Sequence, residues 1–257
     1  MVHFADLQNS KTAYELTGHG RPILLIHGAE ADRHSFRALA NALSDSATVI
    51  TYDQRDCGDT VNHAGTSSLI DLAHDAAQLI RWIGLGPVAV MGTSLGGRVA
   101  QVLALLYPAQ VLDLMLCNTW PLPLQLSALN PEGHAKLRAL AGELPASAQA
   151  LAAMFYSAAF LDANTAVIER FAKRSANAFR SARQAIALDT FPVAVRQITS
   201  RSLLISGSAD RIVPSTVMRD MHTFFANASF VELPGVGHSA AVEAPEKLAH
   251  EIRAFLR

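Results

Sequence analysis

The chain has 257 residues, half of them hydrophobic and 17% charged, which supplies enough apolar material for one large buried core. Its formal net charge of −1 leaves no basic surface to draw a phosphate backbone, so nucleic acid is not an expected partner. Two cysteines are too few for a disulfide framework, residues 1–20 lack signal-peptide grammar and no apolar run reaches membrane-spanning length, so the expected setting is cytoplasmic, with no membrane partner.

In chain order, weak strand signals at 2–7 and 12–17 come first. A polar, glycine-bearing turn then leads into a strongly apolar run at 23–26. Helical periodicity at 32–43 precedes a β-rich run at 48–52. Further helix patterns at 67–84, 94–107, 214–225 and 245–256 alternate with short apolar runs at 88–91, 111–117, 202–206 and 229–233. Pro214 and Pro245 stand where a first helical turn tolerates proline. Strands apolar on both faces and separated by helices predict an α/β fold: a mostly parallel, twisted central sheet of about eight strands with helices on both faces. Residues 120–195 break the alternation. They are alanine-rich, hold no convincing strand and read as a helical cap inserted into a core formed by 1–119 and 196–257.

Gly92-Thr93-Ser94-Leu95-Gly96 lies between a strand signal and a helix signal, the context that turns G-x-S-x-G into a nucleophile elbow. So tight a turn forces its central residue to positive φ, and the residues two positions to either side must be small. A serine hydroxyl is a poor nucleophile near neutral pH and needs a base beside it. His238 follows the last strand and Asp210 the strand before, so both fall on loops at the carboxyl edge of the sheet, with the elbow. The aspartate would hold the imidazole tautomer and stabilise the imidazolium. Acyl transfer also needs N–H donors for the oxyanion. The backbone N–H groups of Leu95, next after the serine, and of Ala29, in the turn after the 23–26 strand, are the candidates.

With these landmarks in place, the chain resembles the α/β-hydrolases over nearly its full length. The matching stretches are His27-Gly28, Tyr52-Asp53-Gln54-Arg55 with Gly58, Gly92-x-Ser94-x-Gly96-Gly97, Gly207-x-x-Asp210 with Val213-Pro214, and Gly237-His238. The resemblance implies Ser94 as nucleophile, His238 as general base, Asp210 as its partner, and a variable helical cap at 120–195. Leu116-Cys117-Asn118-Thr119 is similar to the enol-lactonase and esterase branch. The implied activity is cofactor-independent hydrolysis of a small or medium carboxylic ester or lactone through an acyl-enzyme, by a monomer or homodimer. The same triad serves carbon–carbon bond hydrolases, perhydrolases and lyases, and a non-catalytic ligand receptor could keep the fold.

Other residues read more plainly. His27 is expected to brace its loop, Asp53 and Arg55 to form an internal polar network, Glu30 to line the pocket entrance or, the preferred reading, to be a solvated loop acid, and Cys57 and Cys117 to be inert. No His or Cys spacing suggests a metal. Trp120, Phe155, Tyr156, Phe160 and Phe191 are the aromatic candidates for a substrate pocket. A basic residue facing that pocket, such as Arg98 or Lys173, would favour a carboxylated substrate.

Overall fold

Short parallel strands alternate with helices along this chain, and in a computed structural model these pieces assemble into one nine-stranded sheet. The structure describes residues 1–65, 67–174, 183, 185–186 and 195–257. The strands are β1 (Val2–Leu7), β2 (Ser10–Thr17), β3 (Arg21–Ile26), β4 (Ala47–Tyr52), β5 (Val61–Asn62), β6 (Val88–Thr93), β7 (Val111–Cys117), β8 (Arg201–Gly207) and β9 (Ala228–Leu233). Their order is β1-β2-β4-β3-β6-β7-β8-β9, with β5 beside β2. Strands β4, β3, β6, β7, β8 and β9 run parallel, while β1 and β2 form an antiparallel edge. The expected sheet is present; only β5, two residues long, is absent from the sequence reading.

Alternation along the central strands divides the interior into two layers. Leu24 and Ile26 of β3, with Leu114 and Leu116 of β7, face one core shared with α2 (Leu69–Ile83) and α3 (Leu95–Leu106). Ile23 and Leu25, with Met115 and Cys117, face the other, shared with α1 (Arg37–Leu43) and the C-terminal helix Pro245–Leu256. A strand buried on both faces has no polar side to show water, which explains the unbroken apolar runs. Helix α2 shows how local chemistry sets its ends. Ser68 and Asp71 form a reciprocal capping box, and Gly84 closes the helix at φ 74.

Between β7 and β8 the described residues form helices and turns: α4 (Leu126–Leu129), α5 (Pro131–Gly142), α6 (Ala148–Phe155), α7 (Ala158–Ala163) and α8 (Ala166–Ala172). A small core of Ala148, Leu151, Ala152, Leu161, Val167 and Phe171 holds α6, α7 and α8 together. After β8 come α9 (Ser215–Met221), α10 (Ala240–Glu243) and α11 (Pro245–Leu256). The helix expected over 32–43 is split: a 3-10 turn at Arg33–Phe36, capped by the Asp32 side chain, precedes α1, and Phe36 at φ −99, ψ 2 departs from helical geometry at the junction. No helix among the described residues is long and apolar enough to cross a membrane.

Candidate active site

Ser94 sits between β6 and α3 at φ 53, ψ −122, a conformation costly for any residue with a Cβ. The glycines around it explain how the turn is tolerated. A Cβ on Gly92 would lie 2.2 Å from the Gly96 carbonyl oxygen, and one on Gly96 would lie 2.0 Å from that of Ile26. Strand, helix and β3 therefore meet with no room for a methyl group. The turn is pinned by Ser94 N–H donating to Cys117 O at 3.1 Å and by Thr119 Oγ1 donating to Ser94 O at 2.7 Å.

Asp210 follows β8 and His238 follows β9, on the same edge. His238 Nδ1 and Asp210 Oδ2 are 2.8 Å apart, with both side chains buried. Oδ1 of Asp210 accepts from the N–H groups of Ile212 and Val213 at 2.8 and 2.9 Å, so the carboxylate is held on both oxygens. This arrangement places the imidazole proton on Nδ1 and leaves Nε2 with its lone pair.

The turn after β3 reaches Ser94 from the other side. A Cβ built on Gly28 would stand 3.3 Å from Ser94 Cβ and 3.8 Å from its Oγ, so the Gly28-Ala29 backbone runs directly beside the hydroxyl. Leu95 opens α3, and a first-turn N–H has no acceptor within its own helix. His27 braces this turn from beneath. It accepts from Gln54 N–H on Nε2 at 3.1 Å, and its Nδ1 lies 2.8 Å from Gly28 O. Full burial, aided by the charge of Arg183, lowers its pKa to about 3, so it is neutral near pH 7.

Asp53 and Arg55 belong to internal networks. Asp53 pairs with Arg33 and accepts from the Arg33 and Asp59 N–H groups, while Arg55 pairs with buried Asp75. Glu30 is not the solvated acid expected of its loop. Its carboxylate meets Arg174 at 2.7 Å, and only 19% of its side chain is exposed. Chain just after α8 folds onto the β3 turn, a long-range contact with no local signature. Burial raises the Cys57 thiol to about 11 and the Cys117 thiol further still.

Phe155 lies edge-on to His238, ring centroids 5.8 Å apart, and its carbonyl accepts from Ser239 N–H at 3.0 Å. Tyr156 stacks on Phe160 at 5.0 Å, and both are half-buried. Trp120 is buried in the larger core, 5.2 Å below the guanidinium of Arg98. Arg98 is itself buried and donates to Leu122 O, whereas Lys173 is exposed. Phe191 lies outside the described residues.

Asn118 was not singled out from sequence as a site residue. At φ 49, it donates through Nδ2 to the carbonyls of Gly237 (3.2 Å) and His238 (2.7 Å) and accepts from Gly207 N–H at 2.8 Å. It thereby ties the ends of β7 and β8 to the histidine loop. Its signal was an asparagine at a strand end, the residue type that best tolerates a left-handed backbone after glycine. Glu243 plays a similar part, accepting from Gly237 N–H at 3.0 Å and from Ser157 N–H at 3.2 Å. Among the described residues no group of His, Cys, Asp or Glu side chains forms a metal cluster.

Comparison with known proteins agrees with this architecture. A thermophilic esterase from Thermogutta terrifontis, solved with malate bound, is 26% identical and superposes with a TM-score of 0.83 over 99% of this chain and 98% of its own. The enol-lactonase from Burkholderia xenovorans LB400, at 20% identity and a TM-score of 0.80 over 99% of each chain, shares the fold. RutD of Cronobacter turicensis, provisionally named a carbamate hydrolase, is 28% identical over 238 residues, 89% of this chain and 88% of that protein. The family model of the alpha/beta hydrolase fold matches residues 21–245, and the chain belongs to that family.

Proposed function

We propose that this chain is a cofactor-independent serine hydrolase that cleaves a small or medium carboxylic ester or lactone through an acyl-enzyme. The observation that carries the reading is the 2.8 Å bond between His238 and Asp210 at the sheet edge where Ser94 stands at φ 53. Ser94 Oγ attacks the carbonyl carbon as His238 Nε2 takes its proton, and Asp210 stabilises the imidazolium. The N–H groups of Ala29 and Leu95 receive the oxyanion. The C–O bond to the alcohol breaks, and the alcohol leaves with the proton from His238. Water, deprotonated by His238, then attacks the acyl carbon, releases the acid and restores Ser94.

In this reading residues 120–195 form a cap over a core of 1–119 and 196–257, and Phe155, Tyr156, Phe160 and Trp120 shape the acyl side of the pocket. The enzyme works in the cytoplasm on a small molecule, as a monomer or homodimer. The similarity to RutD supports a second substrate class, a carbamate, whose carbonyl takes the same attack. A panel of p-nitrophenyl esters, lactones and carbamates, offered to the wild type and to Ser94→Ala, tests the assignment. Turnover of an ester or lactone that disappears in the variant is expected. Near wild-type turnover by Ser94→Ala contradicts it.

A further inference from the structure

Arg183 is 2% exposed, yet its hydrogen bonds go to neutral groups. Nε donates to Ala29 O at 3.1 Å and Nη1 to Arg55 O at 3.0 Å, while Nη2 is buried with no hydrogen-bond partner. Among the described residues no carboxylate pairs with it. The two other buried arginines nearby are matched differently: Arg33 meets Glu15, Asp53 and Asp59, and Arg55 meets Asp75. A desolvated guanidinium without a counter-ion is costly, and the cost falls when an anion takes its remaining N–H groups.

The place of this unmatched charge gives it a use. Ala29, which it holds, follows Gly28, whose backbone lies against the Ser94 side chain. Two further buried polar atoms without partners, Tyr52 Oη and Gln54 Oε1, belong to the same stretch of chain as Arg55. The Arg183 charge acts on the Tyr52 hydroxyl and on the Cys57 thiol. Burial first, and then the charge of Asp75, raise the Tyr52 pKa, so its hydroxyl keeps its proton as a donor. A buried guanidinium whose Nη2 has no partner is a donor suited to a carboxylate.

We propose that Arg183 is a specificity-determining residue that binds a carboxylate on the substrate, so that the enzyme prefers carboxylated esters or lactones to neutral ones. This rests on the serine-hydrolase reading, because the preference matters only if Ser94 performs the chemistry. One guanidinium edge carries one negative charge, which suits a single carboxylate on a short acyl chain.

The test compares matched substrates: mono-p-nitrophenyl succinate against p-nitrophenyl butyrate, and the glutarate against the valerate. The wild type is expected to favour the anionic member of at least one pair by about 10-fold or more in kcat/KM, with most of the difference in KM. Arg183→Gln lowers that preference by about 10-fold or more, and Arg183→Lys retains part of it. Equal losses on anionic and neutral esters, or no preference in the wild type, overturn the proposal and leave Arg183 as a brace for its loop. Thermal stabilisation by free succinate supplies a readout independent of turnover; it is expected in the wild type and absent in Arg183→Gln. If the Gln variant does not fold, competitive inhibition of the wild type by succinate but not by butyramide stands in, and its absence overturns the proposal. Labelling of Ser94 by a fluorophosphonate separates the two claims. Ser94 labelled without anion preference removes only the Arg183 assignment. Ser94 unlabelled with Arg183-dependent succinate binding removes the hydrolase reading and keeps the anion site.

Discussion

The sheet edge and the helical segment above it are built on different principles. At the edge, each candidate catalytic group follows a strand: Ser94 after β6, Asp210 after β8, His238 after β9, and the Gly28-Ala29 turn after β3. Parallel pairing fixes these strand ends relative to one another, so the site inherits its geometry from the backbone. The segment between β7 and β8 has no such frame. It has a small apolar core of its own and reaches the edge through Arg174 to Glu30, Phe155 to His238, Arg183 to Ala29, and main-chain bonds of Phe155 and Ser157 to Ser239 and Glu243. In the proposed function chemistry belongs to the strand-framed edge and selectivity to the helical segment, so substitutions in the two regions should fail in different ways.

The largest effects belong to the edge. His238→Ala and Asp210→Asn are expected to lower kcat/KM by about 10⁴-fold with little change in Tm; an effect under 10-fold in either would break the contrast. Next is His27, whose folded pKa of about 3 lies below its unfolded value. Between pH 6.5 and 3 the unfolded chain binds the proton and the folded one does not, so stability falls as pH drops through that window. The contribution is roughly 3–5 kcal/mol. Denaturant melts should show a shallower acid-side decline in His27→Gln, and an unchanged slope contradicts this assignment.

Asn118→Gly separates hydrogen bonding from backbone strain, since glycine accepts the left-handed conformation. Losing the side-chain bonds to Gly207, Gly237 and His238 should cost about 2–3 kcal/mol in urea unfolding and also reduce kcat. If both stay at wild-type values, Asn118 has no positioning role. The smallest effect is in the helical segment. A double-mutant cycle with Glu30→Gln and Arg174→Met should return a coupling of about 1 kcal/mol, as fits a pair about four-fifths buried. A coupling near zero would detach that segment energetically from the turn beside Ser94.

The same division explains what could be read from the sequence. Strands buried on both faces leave unbroken apolar runs, and the elbow needs glycine at 92 and 96, so the fold and the tight turn at Ser94 were visible in the residues themselves. Asp210 and His238 were legible because each stands just past a strand. Asn118 stood in plain view, but its bonds join residues about 90 and 120 positions away, which no local pattern encodes. Arg174 and Arg183 were hidden for the same reason: an arginine among alanines looks solvated until the chain folds it onto a turn 144 or 154 residues earlier.

In the proposed function Ser94, activated by His238 and Asp210, is the nucleophile. Stoichiometric reaction of the intact protein with a fluorophosphonate, read by peptide mass spectrometry, tests it most directly. One adduct per chain is expected, on Ser94, formed at least about 10³-fold more slowly in His238→Ala, the loss expected when an activating base is removed. An unmodified Ser94, or an adduct that forms equally fast without His238, contradicts it.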